Sequence, residues 1–60
     1  MQNEPMLYTV REVSKILKCN TSFVYKLINE GQLPAIKLGS VKVRKEALEA
    51  FLKRLEGQVN

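Results

Sequence analysis

Histidine and tryptophan are missing from this chain, and cysteine occurs once, at Cys19. A single thiol cannot form a disulfide within the chain, and a metal site of the zinc type needs several cysteine or histidine ligands. The sequence therefore predicts no metal and no cofactor. Cys19 lies between two predicted helices, where we expect it to act as a small core residue rather than as a reactive thiol.

Long apolar runs are missing too. No stretch approaches the roughly 20 apolar residues that span a bilayer, and the first residues do not resemble a secretory signal. The sequence therefore predicts a cytoplasmic protein with no membrane partner. Its 60 residues form one small domain with no room for a large internal pocket. Because a catalytic triad, a metal set and a phosphate-loop motif are also missing, neither an enzyme nor a small-molecule substrate is expected.

Acidic residues are scarce in the middle of the chain. The net charge is +4 and the isoelectric point is about 9.5. Between Lys18 and Lys45 the only acidic residue is Glu30. A basic segment in a small domain favours an anionic partner, with nucleic acid ahead of a membrane surface. The alternative is a mildly basic charge that serves solubility alone.

Two short helices separated by a tight turn are predicted in the first half of the chain. Thr9 followed by Glu12 is a capping-box pattern that begins the first helix, and Asn20 is a good N-cap for the second. Gly31 suits the end of the second helix, because glycine adopts the left-handed conformation without strain. The apolar residues at helical spacing are Val10, Val13, Ile16 and Leu17 in the first helix and Phe23, Val24, Leu27 and Ile28 in the second.

A polar face lies opposite the apolar face of the second helix. Its side chains offer hydroxyls, a phenol, an ammonium and an amide, and none is a carboxylate. They can donate hydrogen bonds to phosphates and base edges without charge repulsion, as expected of a recognition helix in a helix-turn-helix. The members of this face are Thr21, Ser22, Tyr25, Lys26 and Asn29. Two alternatives remain: a partly buried Tyr25 ring, and Thr21 and Ser22 as ordinary first-turn residues.

Alternating residues around Gly39 and Ser40 predict a β-hairpin. A two-residue turn at this site places Lys37 directly opposite Lys42 on the exposed face. Like charges in that position destabilise a hairpin unless an anion lies between them, although the two long side chains can also separate in water. The residues expected to face the core are Ile36, Leu38, Val41 and Val43.

A third helix is predicted from Lys45 to Leu55, because its apolar residues again recur at helical spacing. Those residues are Leu48, Phe51, Leu52 and Leu55. Gly57 is expected to end this helix. The predicted organisation is a flexible arm over residues 1–6, one domain over residues 7–56 and a frayed tail over residues 57–60.

This order of elements, together with four segments, resembles a known family. The segments are residues 7–13, 24–28, 30–35 and 46–52. The most specific part is the pattern Tyr-(basic)-Leu-Ile-x-x-Gly-x-Leu-Pro-Ala at residues 25–35. These segments are similar to the excisionase-type DNA-binding domains, which are related to the mercury-resistance regulator superfamily. The resemblance implies an α+β, mostly helical fold: a small winged helix-turn-helix with a two-stranded β-hairpin wing and a C-terminal helix. The chain departs from the family pattern at Lys18, where glycine is usual, and at Phe23, which is commonly threonine.

The resemblance also implies sequence-specific binding of double-stranded DNA. The second helix enters the major groove, and the wing contacts the backbone or the minor groove. By position, the implied wing contacts are Lys37, Ser40, Lys42 and Arg44, and the implied helix contacts come from the polar face defined above. The implied role is that of an excisionase-like recombination directionality factor or a small transcription regulator, with an integrase or a second copy on DNA as a possible partner. The alternative is a protein-interaction module that docks an integrase or another DNA-bound protein.

Overall fold

Three helices and a three-stranded antiparallel sheet make up the fold in the computed structural model, which describes residues 6–58. In chain order the elements are β1 (Leu7–Thr9), α1 (Val10–Leu17), α2 (Thr21–Asn29), β2 (Ile36–Leu38), β3 (Ser40–Arg44) and α3 (Lys45–Gln58). The sheet order is β1-β3-β2, so β3 pairs on both sides. The predicted α+β winged helix-turn-helix is confirmed, and β1 extends the predicted hairpin to three strands.

Thr9 ends β1 and caps α1 at the same time. Its hydroxyl Oγ1 accepts a hydrogen bond from the Glu12 backbone N–H at 3.1 Å, and its own N–H donates to Glu12 Oε1 at 2.8 Å. This reciprocal pair is the predicted capping box. The chain therefore passes from sheet to helix with no intervening loop.

Lys18 forms the turn between α1 and α2 in the left-handed conformation, with φ 58° and ψ 47°. The N–H of Cys19 donates to the Ser14 carbonyl at 2.9 Å, which closes the end of α1. Asn20 then caps α2, because its Oδ1 accepts from the Phe23 N–H at 2.8 Å. The turn therefore keeps the tight geometry that glycine usually provides, with a lysine in its place.

The chain leaves α2 by a second left-handed residue, Gly31, with φ +80°. The N–H groups of Gln32 and Leu33 both donate to the Leu27 carbonyl, at 3.0 and 3.2 Å. This geometry directs Leu33 into the core, where none of its surface is exposed. The Arg54 side chain of α3 donates to the Gln32 carbonyl at 2.7 Å, so α3 is tied to the same turn.

The core is small and draws on every helix and on the central strand. Its buried side chains are Val10, Val13, Val24, Leu27, Leu33, Val43, Leu48 and Phe51. Cys19 is partly buried and packs against this cluster, in agreement with its predicted role. Three residues predicted for the helical core faces are instead substantially exposed: Ile16 at 45%, Phe23 at 45% and Leu55 at 38%. For these three the prediction is wrong, because they lie at the margins of their apolar faces.

The hairpin has a different register from the predicted one. The paired residues are Ile36 and Lys42, Lys37 and Val41, and Leu38 and Ser40. Gly39 alone separates the two strands, and its φ is +75°. The expected pairing of Lys37 with Lys42 across a two-residue turn is therefore wrong.

A shift of one residue moves alternate side chains to the opposite face of a strand. Ile36 and Leu38, which were expected in the core, share the outer face with Lys42 and are 40% and 58% exposed. Lys37 shares the inner face with Val41 but is exposed. The predicted cross-strand repulsion between the two lysines consequently does not arise.

The two ends of the domain differ from expectation in one respect. α3 continues through Gly57 to Gln58, so the predicted helix end at Gly57 is wrong. Of the predicted arm, only Met6 lies within the described residues, and its carbonyl accepts a hydrogen bond from the Lys45 N–H at 3.1 Å. Of the predicted tail, residues 59–60 lie outside that range.

Between residues 6 and 58 there is no helix with the length and apolar character to cross a membrane.

We predict that Lys18→Gly stabilises the protein. The left-handed conformation destabilises a lysine by roughly 1–2 kcal/mol. Replacing it with glycine removes this strain, but the greater conformational entropy of glycine in the unfolded chain lowers the free energy of unfolding by about 0.5–1 kcal/mol. The free energy of unfolding should rise by about 0.5–1 kcal/mol in a urea titration.

Gly31→Ala is the matched control, since φ is also positive there and no atom lies within 4 Å of the added Cβ. It should lower the free energy of unfolding by about 1–2 kcal/mol through backbone strain alone. Unchanged stability in both variants would contradict the assignment of strain to these turns.

Candidate nucleic-acid interface

Ser22, Tyr25, Lys26 and Asn29 form one stripe along α2. Their spacing of i, i+3, i+4 and i+7 places them on a single helix face, and all four are exposed. The opposite face is buried, with Val24 and Leu27 at 0% and 5% exposure. Thr21, the fifth predicted residue, is exposed in the first turn. The structure thus brings the predicted polar residues of α2 together on its exposed side; we refer to these five residues as the α2 polar face.

None of the side chains of the α2 polar face makes a hydrogen bond or ion pair within residues 6–58. Their donors are therefore available to an external acceptor. Tyr25 is 46% exposed, so the alternative of a partly buried ring stays open. At the start of α2, Asn20 already satisfies the Phe23 N–H, and the N–H groups of Thr21 and Ser22 point out of the first turn. Such free N–H groups at a helix start favour an anion.

Three of the four predicted wing residues share the outer face of the sheet. Ser40, Lys42 and Arg44 alternate along β3 with Val41 and Val43, which face the core side. The fourth, Lys37, lies on the opposite face of β2 by its pairing with Val41. The structure therefore groups Ser40, Lys42 and Arg44 and separates Lys37 from them.

Lys42 holds the tip of the wing in place. Its ammonium nitrogen Nζ donates to the Leu38 carbonyl at 3.3 Å and to Ser40 Oγ at 3.0 Å. The Arg44 Nε lies 3.9 Å from Glu46 Oε1, and the two side chains are 63% and 69% exposed. An ion pair this exposed contributes little stability and is easily exchanged for another anion.

Sequence reasoning missed two apolar side chains on the same outer face, Ile36 and Leu38. They lie beside the cations of β3 and are exposed, so any partner that contacts Lys42 and Arg44 meets them as well. The segment that could have revealed these two exposed residues is β1. Tyr8 of β1 pairs with Val43, so β3 is the central strand and Val41 and Val43 face inward.

Residues 6–58 contain no group of three or more metal-ligating side chains, and histidine is missing from the whole sequence. The chemistry that the site offers is hydrogen-bond donation and positive charge.

A tight turn between two short helices, an exposed polar second helix and a basic hairpin beside it define a small winged helix-turn-helix domain. This chain belongs to the family described as the helix-turn-helix domain, whose model matches residues 7–56.

Two curated proteins of Mycobacterium tuberculosis, from different strains, are similar to the chain. Each is 35% identical over 52 residues, and the match covers 85% of this chain and 67% of the relative. Both are named, on a provisional basis, as DNA-binding proteins. Among solved structures there is no significant match.

We predict that Tyr25→Ala and Lys26→Ala leave the fold intact. Both side chains are exposed and make no hydrogen bond in the described part of the chain, so the free energy of unfolding should change by less than about 0.5 kcal/mol. Leu27→Ala, on the buried face of the same helix, should lower it by about 2–5 kcal/mol. Thermal melting followed by circular dichroism gives all three values. A large loss in the Tyr25 or Lys26 variant would show a structural role for that side chain.

Proposed function

We propose that this protein binds double-stranded DNA, with α2 in the major groove and the hairpin wing on the backbone or the minor groove beside it. One observation carries the proposal: the α2 polar face is exposed, its side chains have no hydrogen-bond or ion-pair partner among residues 6–58, and it contains no carboxylate. Membership of the helix-turn-helix family and the names of the two mycobacterial relatives support it.

The stripe on α2 matches the donors and acceptors of the major groove. A lysine suits the O6 and N7 acceptors of guanine, and an asparagine can make two hydrogen bonds to adenine. Lys26 and Asn29 are therefore the proposed base-reading residues, with Tyr25 next to them on the same face. Thr21 and Ser22 lie at the helix start, where hydroxyls and free N–H groups suit a phosphate.

The wing supplies positive charge that positions the domain. Ser40, Lys42 and Arg44 share one face of β3, and we assign to them contacts with phosphates that carry no sequence information. Lys37 lies on the other face, at the edge of the sheet. It reaches only a phosphate that passes beside the strand edge.

The biological role that fits is a non-enzymatic one, either as an excisionase-like recombination directionality factor of a mobile element or as a small transcription regulator. A stripe of four side chains on one helix reads only a short stretch of DNA. Specific recognition then requires a second copy on an adjacent half-site or a DNA-bound partner such as an integrase. Selecting bound sequences from random DNA gives the site, and a repeated motif in the selected DNA indicates two copies.

Affinity for DNA should fall steeply with salt. Each phosphate neutralised contributes about −0.9 to the slope of log association constant against log salt. Phosphate contacts from Lys37, Lys42 and Arg44 give a slope of roughly −3. A fluorescence-anisotropy titration at several salt concentrations measures it, and a flat response would exclude DNA as the principal partner.

Lys26→Ala and Lys42→Thr should separate base reading from positioning. Lys26→Ala should weaken binding to the preferred site by about 1–3 kcal/mol and affect random DNA less. Lys42→Thr should weaken both kinds of DNA equally and reduce the salt slope by about one. Lys53→Thr, an exposed change on α3 outside the proposed interface, is the control. Equal losses on both DNAs for Lys26→Ala would make Lys26 a backbone contact.

A further inference from the structure

An apolar groove of about 540 Å³ lies on the helical side of the molecule, away from the wing. It runs between the end of α1, one flank of α2 and the second half of α3, and we call it the helical groove. The partly exposed side chains that line it are Ile16, Phe23 and Leu55, one from each helix, and Phe51 forms part of its floor. The DNA interface proposed above does not use these apolar side chains.

The convergence of Ile16, Phe23 and Leu55 is unusual for a domain this small. Each is at least a third exposed, and each belongs to an apolar face that otherwise packs into the core. Singly exposed apolar residues are ordinary on protein surfaces, whereas a contiguous apolar patch with a polar rim marks a contact site. Here the three side chains share one concave surface, so burying them on a partner recovers hydrophobic free energy.

The polar residues of the helical groove give it a positive rim. The side-chain ammonium groups of Lys18 and Lys26 have no hydrogen-bond acceptor or ion-pair partner in the described range of the chain. Glu30 is the only acidic residue of the lining, and its Oε1 accepts a hydrogen bond from Gln32 Nε2 at 2.8 Å. The rim therefore has two ammonium groups without an acceptor and one carboxylate that already accepts a hydrogen bond. A complementary ligand carries acidic groups at the edge of an apolar surface.

The backbone around the groove restricts the shape of that ligand. All lining residues come from helices or from the turns next to them, and none belongs to β1, β2 or β3. The groove offers no strand edge to pair with an extended peptide. A polypeptide ligand must satisfy its own backbone hydrogen bonds, and an amphipathic α-helix does so while presenting one apolar face.

A second copy of this chain is a poorer fit than a different protein. A two-fold symmetric contact places the same patch on both sides, so the ammonium groups of Lys18 and Lys26 from both molecules enter one interface in which Glu30 is the only acidic lining residue of each. It also brings the two α2 helices side by side. A helix-turn-helix dimer on DNA instead separates its recognition helices by about 34 Å.

We propose that the helical groove binds an amphipathic helix of a partner protein, with leucine- or phenylalanine-like residues in the groove and acidic residues against Lys18 and Lys26. Lys26 belongs both to the groove lining and to the α2 polar face. An acidic helix that neutralises Lys26 removes one DNA contact, so groove binding lowers DNA affinity. This second part rests on the proposed DNA-binding function, whereas the groove itself does not.

The probe for the first part is a pair of synthetic helical peptides with the same apolar face, leucine at i, i+3, i+4 and i+7. One carries glutamate on its flanks, and the other carries lysine at the same positions. Calorimetric titration against the full chain should give binding of the glutamate peptide and at least about tenfold weaker binding of the lysine peptide. Equal affinities for the two peptides would overturn the acidic assignment, and binding of neither would overturn the site.

Matched variants locate the binding on the protein. Phe23→Ser and Leu55→Ser should each weaken binding of the glutamate peptide about tenfold, whereas Leu38→Ser, a change at a more exposed apolar residue on the outer sheet face, should have no effect. Lys18→Glu should weaken it similarly, and Lys37→Glu should not. Melting curves of all variants verify that they are folded. Equal losses in Leu38→Ser would show non-specific adhesion, and a dimer of the chain that Phe23→Ser abolishes would assign the groove to self-association.

Competition with DNA tests the second part. Saturating glutamate peptide should lower DNA affinity several-fold in the parent chain, and Lys26→Ala should remove the effect. Unchanged DNA affinity in the presence of bound peptide would overturn the coupling. If the protein binds the peptide but no DNA at all, the proposed DNA function fails while the groove assignment stands. If the protein binds DNA but not the peptide, the groove assignment fails while the proposed DNA function stands.

Discussion

The antiparallel pairing of β3 on both of its sides is the constraint on which the rest of this small domain depends. Val43 is fully buried at its centre and pairs with Tyr8 of β1, while β2 pairs along the opposite edge. Because Arg44 is followed at once by the first residue of α3, the same strand sets where the third helix begins. The orientation of the wing and the position of α3 in the core are therefore consequences of one strand.

Local features of the sequence predicted much of this fold, because each depends on a few neighbouring residues. The capping box at Thr9, the cap at Asn20 and the left-handed Gly31 are as expected. The hairpin register was not predictable in the same way. A Gly-Ser pair between alternating residues is compatible with two registers. In the observed register, β3 also pairs with β1, which is distant in the sequence. Lys18 shows the opposite case, since the fold imposes a backbone conformation that its side chain does not favour.

The α2 polar face could be anticipated because helical periodicity alone separates it from Val24 and Leu27. The two remaining surfaces depend on tertiary structure. The grouping of Ser40, Lys42 and Arg44 without Lys37 follows from a register that the sequence leaves open. The helical groove follows from the angles at which three helices meet, and Ile16 and Leu55 could not be distinguished from core residues by spacing. Two contacts of Arg54 help to fix the position of α3. Its side chain donates a hydrogen bond to the Gln32 carbonyl, and its guanidinium lies 5.7 Å from the centre of the Phe51 ring.

The β1–β3 pairing also determines when a growing chain can fold. Thr9 takes part in that pairing and caps α1, yet its partner Lys42 lies beyond more than half of the sequence. On a ribosome, β1, α1 and α2 emerge before β2 and β3 exist, and the sheet closes only after Arg44 has left the exit tunnel. Since a non-local contact of this kind must form before the buried surface is complete, the domain is expected to fold as one unit only after β3 has emerged.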